Sequence, residues 1–278
     1  MRNNDERIQM TYTVNCSILF TELPLRDRPA AAKAAGFDAV EFWWPFPTST
    51  PAAAEVQDFE DAITNAGVQL TGLNFNAGDM PGGDRGLVSW PARREDFRAN
   101  VPVVVGIGER LGCKHFNALY GNRVEGVSAQ EQDALAVDNL VLAANAVAAI
   151  DGTVLLEPIS GADRYPLKTA QDALNVITNV HAHGATNIKL LADFYHLSVN
   201  GDDVGAVIEA HAEDFGHIQI ADAPGRGAPG SGDLPLADWI DRSRTLGYQG
   251  PIGLEYKTPA EQAFTRLARH SSGKSRIG

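Results

Sequence analysis

The sequence predicts one parallel (β/α)8 barrel of the α/β class, on three observations. Strand-like and helix-like segments alternate from end to end. Eight strand-like segments can be marked, each followed by a stretch whose apolar residues recur at helical spacing. Composition does not shift along the chain, and 278 residues suit a single barrel, a fold that runs to about 250 residues as one domain. Residues 1–10 read as a disordered lead-in with Met10 as the natural start, 11–270 as the barrel, and 271–278 as a loose tail.

In chain order the expected strands are "YTVNCSI" (12–18), "AVEFWW" (39–44), "QLTGLNF" (69–75), "HFNALY" (115–120), "TVLLEPI" (153–159), "IKLLADF" (188–194), "HIQIAD" (217–222) and "PIGLEY" (251–256). Between them, stretches such as "VQDFEDAITNAG" and "LKTAQDALNVITNVHAHG" repeat apolar residues every three or four positions, the period of an amphipathic helix. Gly36, Gly67, Gly112 and Gly184 stand where helices end before the next strand, the usual place for a left-handed terminator. A doubly wound open sheet is the alternative, but "SILFTELPLRD" after the first strand has no glycine to cradle a phosphate. One long insert, "NAGDMPGGDRGLVSW", follows the third strand; its Gly/Asp/Pro content marks a loop, read as a lid over the site.

The bulk numbers exclude several classes. With 23 basic against 35 acidic residues and a net charge of −12, the chain lacks the electrostatic footprint of a nucleic-acid binder. Two cysteines, Cys16 and Cys113, cannot build a disulfide framework and fit a reducing cytoplasm. No run reaches the roughly 20 apolar residues of a membrane span, and "MRNNDERIQM" has no apolar core of a signal peptide. A small-molecule substrate is the expected partner, and homo-oligomerisation is left open.

Side chains at the C-terminal ends of barrel strands read as catalytic rather than packing residues. Glu157 in "LLEPI", Asp193 in "LLADFYH", Gln219 in "HIQIAD" and Glu255 in "GLEYK" occupy corresponding positions on strands five to eight. A lone acidic residue there is most often a helix N-cap or a solvated loop start, and Asp222 and Glu41 are read in that bland way, Glu41 as able to pair with a neighbour. Four oxygen donors together are hard to explain as caps, because Glu and Gln are poor ones. Three converging carboxylates repel one another unless a divalent cation relieves the charge, and an all-oxygen set favours Mg²⁺ or Mn²⁺ over Zn²⁺. His196 reads equally well as a buried, satisfied histidine or as a substrate-facing group. His217 reads as a layer residue lower in the barrel. Arg226, in the Gly/Pro-rich "DAPGRGAPGSGD", lies within reach of the cation, where its fork suits a carboxylate. Of Trp43 and Trp44, one is expected in the core and the other over the pocket.

From about residue 12 to 257 the chain resembles the xylose-isomerase-like barrel superfamily, and within it the hydroxypyruvate isomerase family. The likeness rests on "NCSILFTELPLRDRPAAAKAAGFDAVEFWWPFP", the lid "NFNAGDMPGGDRG", "LLEPIS", "HIQIADAPGRGAPGSGD" and "GLEYKTP". Similar ketose 3-epimerases carry His where this chain has Gln219, and the family's usual Pro-Ala-Gly-Asp-Trp reads here Asn76-Ala77-Gly78-Asp79-Met80. The resemblance implies that Glu157, Asp193, Gln219 and Glu255 ligate a divalent metal, that Glu157 and Glu255 also form the acid/base pair, and that His196 and Arg226 contact substrate. It implies interconversion of hydroxypyruvate and tartronate semialdehyde through an enediolate. The alternatives are isomerisation of a 2-oxo-tetronate or 3-epimerisation of a ketose with the same machinery. A DNA-repair nuclease would need a histidine-rich zinc site and a basic groove; a sugar-acid binding protein would not need both glutamates.

Overall fold

A computed structural model describes residues 12–258 and residue 264. Eight strands, β1 (Tyr12–Asn15), β2 (Ala39–Phe42), β3 (Gln69–Asn74), β4 (His115–Asn117), β5 (Thr153–Leu156), β6 (Ile188–Asp193), β7 (Phe215–Ile220) and β8 (Ile252–Leu254), pair in sequence order and close on themselves. All pairings are parallel, β8 against β1 included. The helices between them are α1 (Arg28–Ala34), α2 (Ala53–Ala66), α3 (Arg94–Leu111), α4 (Ala129–Ala148), α5 (Ala170–Ala182), α6 (Phe194–Val199), α7 (Val204–His211) and α8 (Leu236–Thr245). The proposed lead-in and tail, and whatever follows the eighth strand beyond residue 258, lie outside the described residues, Phe264 apart.

Local chemistry accounts for these boundaries. In α5, Ala173, Leu174, Ile177 and Val180 form the buried stripe, and Thr169 with Asp172 closes the first turn as a reciprocal cap. Helix α4 starts where Ser128 accepts from the Glu131 amide, and α2 stops at Gly67, with φ of 64°. Most expected strands run one to three residues too long, because the chain stays extended past its last paired residue. Strand β7 instead starts two residues early, through Gly216. That glycine is packing room, since a Cβ there would lie 2.5 Å from Leu155 Cδ2 and 2.9 Å from Lys189 Cβ.

The register sets polar residues level with one another near the C-terminal mouth. Asn15 pairs with Glu41, Asn74 with Asn117, Asp193 with Gln219, and Gln219 with Gly253. The insert after β3 is largely anchored rather than a free flap. Leu87, Val88 and Ser89 are fully buried, Ser89 donates its amide to the Tyr120 carbonyl (2.8 Å), and Gly86 donates to that of Ala77 (2.9 Å). At Gly86, φ is 113° and a Cβ would meet the Leu119 carbonyl, so the backbones can approach only with glycine here. Exposure is confined to the tip, at Asp79, Pro81 and Gly82.

Candidate active site

Four elements end at one buried cluster. Glu157 follows β5, Asp193 ends β6, Gln219 lies one residue before the end of β7, and Glu255 follows β8. None is more than 5% exposed. Glu157, Asp193 and His196 each offer a ligating atom, all within 4.8 Å of one another. His196 Nε2 is 3.6 Å from Asp193 Oδ2 and 4.0 Å from Glu157 Oε1. Arg226 ties the cluster together: its Nη2 is 3.7 Å from Asp193 Oδ2 and hydrogen-bonds Glu255 Oε1, while its Nε donates to the Glu255 carbonyl at 3.2 Å. Its guanidinium lies 5.7 Å from the centre of the Tyr195 ring, within cation–π range.

Each acidic or amide side chain of the cluster has one polar atom held by a protein partner. Asn117 Nδ2 donates to Glu157 Oε2 at 2.7 Å, and Asn15 Nδ2 to Glu255 Oε2 at 3.0 Å. Asp193 Oδ1 caps α6 through the amides of Tyr195 and His196 at 2.8 and 3.2 Å. Gln219 Nε2 donates to Glu41 Oε1 at 2.7 Å. The atoms left over are Glu157 Oε1, Asp193 Oδ2 and Gln219 Oε1, while Glu255 Oε1 is taken by Arg226. Two of them, Asp193 Oδ2 and Gln219 Oε1, are buried without a hydrogen bond. Orphaned buried oxygens are uncommon and call for a partner.

Electrostatics follow from the crowding. Burial, and then the charges of Glu255 and Asp193, hold the Glu157 carboxyl well above the usual carboxylate range, against the Asn117 hydrogen bond and Arg226. Glu255 is pushed up to about 8 by burial; Arg226 opposes the rise, and Asp193 and Glu41 add to it. Burial lowers His196 to about 4, so its ring is neutral at pH 7. Its Nδ1 accepts the Ser160 backbone N–H at 3.1 Å, which leaves the proton on Nε2, the atom facing the two carboxylates. In this tautomer His196 is a hydrogen-bond donor to the site rather than a ligand.

The expected site residues thus stand as follows. Glu157, Asp193, Glu255, His196 and Arg226 come together at the mouth of β5–β8, and Gln219 stands beside Asp193 in register. Asp193 is also a helix cap through Oδ1, which leaves Oδ2 outside that role. Asp222 caps no helix. It is fully buried and organises the following loop through the amides of Ala223, Gly230 and Leu234. Neither tryptophan is a core residue: both are half-buried, and Trp43 lies close enough to the Glu255 carboxyl to lower its proton affinity. His217 is buried inside the barrel, as a layer residue should be, but its Nε2 also meets Glu41 Oε2 at 2.7 Å. Asn15, Glu41 and Asn117 were not singled out as site residues. The strand-end rule, applied to β1, β2 and β4 as it was to β5–β8, finds all three.

A cavity of about 510 Å³ lies at the opposite end of the barrel, lined by Lys189, Glu213, Tyr248 and Gln249 among others. Among the described residues no cluster of ligating groups like that of the mouth faces it. In this fold that end carries stability rather than chemistry.

The chain matches the family model described as "Xylose isomerase-like TIM barrel" over residues 29–272. It is 54% identical, over 92% of its length and 95% of the relative's, to a Streptomyces coelicolor protein provisionally named hydroxypyruvate isomerase. The hydroxypyruvate isomerase of Escherichia coli is 31% identical over 89% of this chain and 93% of its own. A 2-oxo-tetronate isomerase of Cupriavidus necator is 36% identical over 90% and 93%. Among solved structures, one described as an AP endonuclease, family 2, from Brucella melitensis superposes with a TM-score of 0.83 at 26% identity, over 94% of this chain and 98% of that one. Closed barrel, mouth cluster and near-full-length similarity agree: the chain belongs to the xylose isomerase-like TIM barrel family and, within it, to the hydroxypyruvate isomerase family of isomerases.

Proposed function

We propose that this protein interconverts hydroxypyruvate and tartronate semialdehyde, with a divalent cation held by Glu157, Asp193, Gln219 and Glu255. The observation that carries the reading is the pattern of held and free atoms. In each of the four side chains one atom is fixed by a protein donor or acceptor; a second oxygen is left over in Glu157, Asp193 and Gln219, in the last two buried without a hydrogen bond, while Glu255 Oε1 is shared with Arg226. Such an all-oxygen donor set fits Mg²⁺ or Mn²⁺. When bound, the cation would act as a Lewis acid, stabilising negative charge on the substrate's adjacent oxygens.

The chain's own residues supply the proton transfers. One glutamate of the pair Glu157 and Glu255 takes a proton from C3 of hydroxypyruvate, giving an enediolate, and the other delivers a proton to C2. The hydroxyl proton moves from O3 to O2, so the product is the isomeric aldehyde. A carboxylate that ligates through one oxygen can still take up and return a proton on the other, which suits both halves of this exchange. His196 keeps a proton at Nε2 and donates it as a hydrogen bond to a substrate oxygen. Arg226 has five N–H donors, and Nε and Nη2 are engaged with Glu255; the rest are available to the substrate carboxylate. Burial of the cluster limits water, which would otherwise protonate the enediolate at random.

Turnover in deuterated water tests the proton path. The product should carry solvent deuterium at the new C–H, and Glu157→Gln and Glu255→Gln should each lower kcat by about 10²–10⁴-fold. Full activity in Glu255→Gln would remove the two-glutamate mechanism. A second reading, a 2-oxo-tetronate as substrate, is favoured by the 36% identity to the Cupriavidus necator enzyme. A higher kcat/KM for the four-carbon acid than for hydroxypyruvate would select it.

A further inference from the structure

We infer that Glu41, on the far side of the barrel from the cluster, is a positioning residue that turns the oxygen of Gln219 toward the cation. The inference rests on the metal-site reading above. A glutamine amide can face a site with either end, and only its oxygen can ligate. Here the choice is made from behind. Glu41 is 3% exposed, and its carboxylate accepts from three side chains on two other strands: Gln219 Nε2 at 2.7 Å, His217 Nε2 at 2.7 Å and Asn15 Nδ2 at 3.3 Å. A carboxylate has only acceptors, so the nitrogen of Gln219 must face it and Oε1 must face away, where it is buried and unpartnered.

The fold makes room for this pair. Gly253 on β8, level with Gln219, would place a Cβ 2.7 Å from Gln219 Cγ and 2.9 Å from Glu41 Oε1. Gly72 on β3 clears the other side, where a Cβ would come within 3.3 Å of Glu41 Cβ. Asn15 is itself fixed, because its Oδ1 accepts from the Ser17 amide at 3.0 Å, so its Nδ2 bridges Glu41 and Glu255. The polar layer below the cluster therefore acts as a jig for a neutral ligand.

Two mild substitutions separate position from charge. Glu41→Asp keeps the charge but draws the acceptor back by one methylene. Glu41→Gln removes the charge but keeps an oxygen where Gln219 Nε2 needs it, with His217 exchanging tautomer to accept the new NH₂. Mn²⁺ alone is titrated calorimetrically into metal-free wild type, both variants, Gln219→Leu and Glu41→Asp/Gln219→Leu, with folding checked by circular dichroism. The expected result is at least tenfold weaker Mn²⁺ binding in Glu41→Asp, less than threefold in Glu41→Gln, and no more than threefold further loss when Glu41→Asp is added to Gln219→Leu. The reverse order, with Glu41→Gln the weaker binder, would make Glu41 a charge effect and overturn the inference. So would unchanged binding in a folded Glu41→Asp, or losses that add in full. These failures leave the metal site intact, since Gln219→Leu still weakens binding. Absence of Mn²⁺ binding by wild type, or undiminished binding by Gln219→Leu, overturns the site assignment and the inference together.

Discussion

Glu255 shows what burial does to a single ligand candidate. Its folded proton affinity is raised, to about 8 from an ordinary 4.5, chiefly by desolvation. Between those values the metal-free folded protein holds a proton that the unfolded chain has lost. Its stability contribution is therefore present below pH 4.5 and lost as pH rises through about 8. A cation needs the ionised form, so its uptake at pH 7 must expel that proton. We predict that Mn²⁺ affinity falls by at least about tenfold per pH unit as pH drops below 8, since Glu157 is also held above the usual carboxylate range, with proton release seen as a buffer-dependent binding enthalpy. Affinity that is flat between pH 8 and 6 would contradict this. His196 carries the opposite shift. Its neutral form is kept down to about pH 4, so its Nε2–H donor should persist throughout the working range. His196→Phe should then lower kcat about 10–100-fold, while Ser160→Ala, which retains the backbone N–H that fixes the tautomer, should lower it only a few-fold. Glu157, Asp193 and Glu255 were legible in the sequence because, with Gln219, they stand at corresponding positions on four consecutive strands; each alone has a bland explanation, as Glu41 was given. The bond between Glu41 and His217 was not legible, because it joins residues 176 apart and depends on the closure of the barrel.

The strands carry the site through their register, and in β8 Gly253 has no room for a side chain. Gly253→Ala would overpack the space that Glu41 and Gln219 share, so it should cost about 1–3 kcal/mol in urea denaturation and weaken Mn²⁺ binding as well. A variant as stable as wild type with unchanged Mn²⁺ affinity would show that the clearance is idle. All eight strands were readable from apolar runs, and helix ends such as Gly67 and Gly112 from their terminator role, with φ of 64° and 70°. Strand ends were misjudged for a physical reason: extended residues beyond the last pairing look the same in sequence but turn into the mouth, as Glu157 and Glu255 do. The insert after β3 was read as a lid from its glycines. Its second half is anchored by Leu87, Val88 and Ser89, whose burial depends on partners such as Tyr120 that local composition does not reveal.

At the scale of the molecule, a net charge of −12 and a cluster built from carboxylates suit a small substrate held by a cation and an arginine, not a phosphate backbone. The structural likeness to a protein described as an endonuclease is a likeness of the barrel. Among the described residues no helix is long and apolar enough to cross a membrane. Both cysteines are buried and free, with burial pushing each thiol up to about 12. This barrel mouth should perform proton transfer only with a divalent cation in place. Hydroxypyruvate turnover is compared in one preparation as purified, after exhaustive EDTA treatment with metal loss verified by elemental analysis, and after return of Mg²⁺ or Mn²⁺. Activity should disappear with the metal and return with it. Activity undiminished in verified metal-free protein would contradict this requirement.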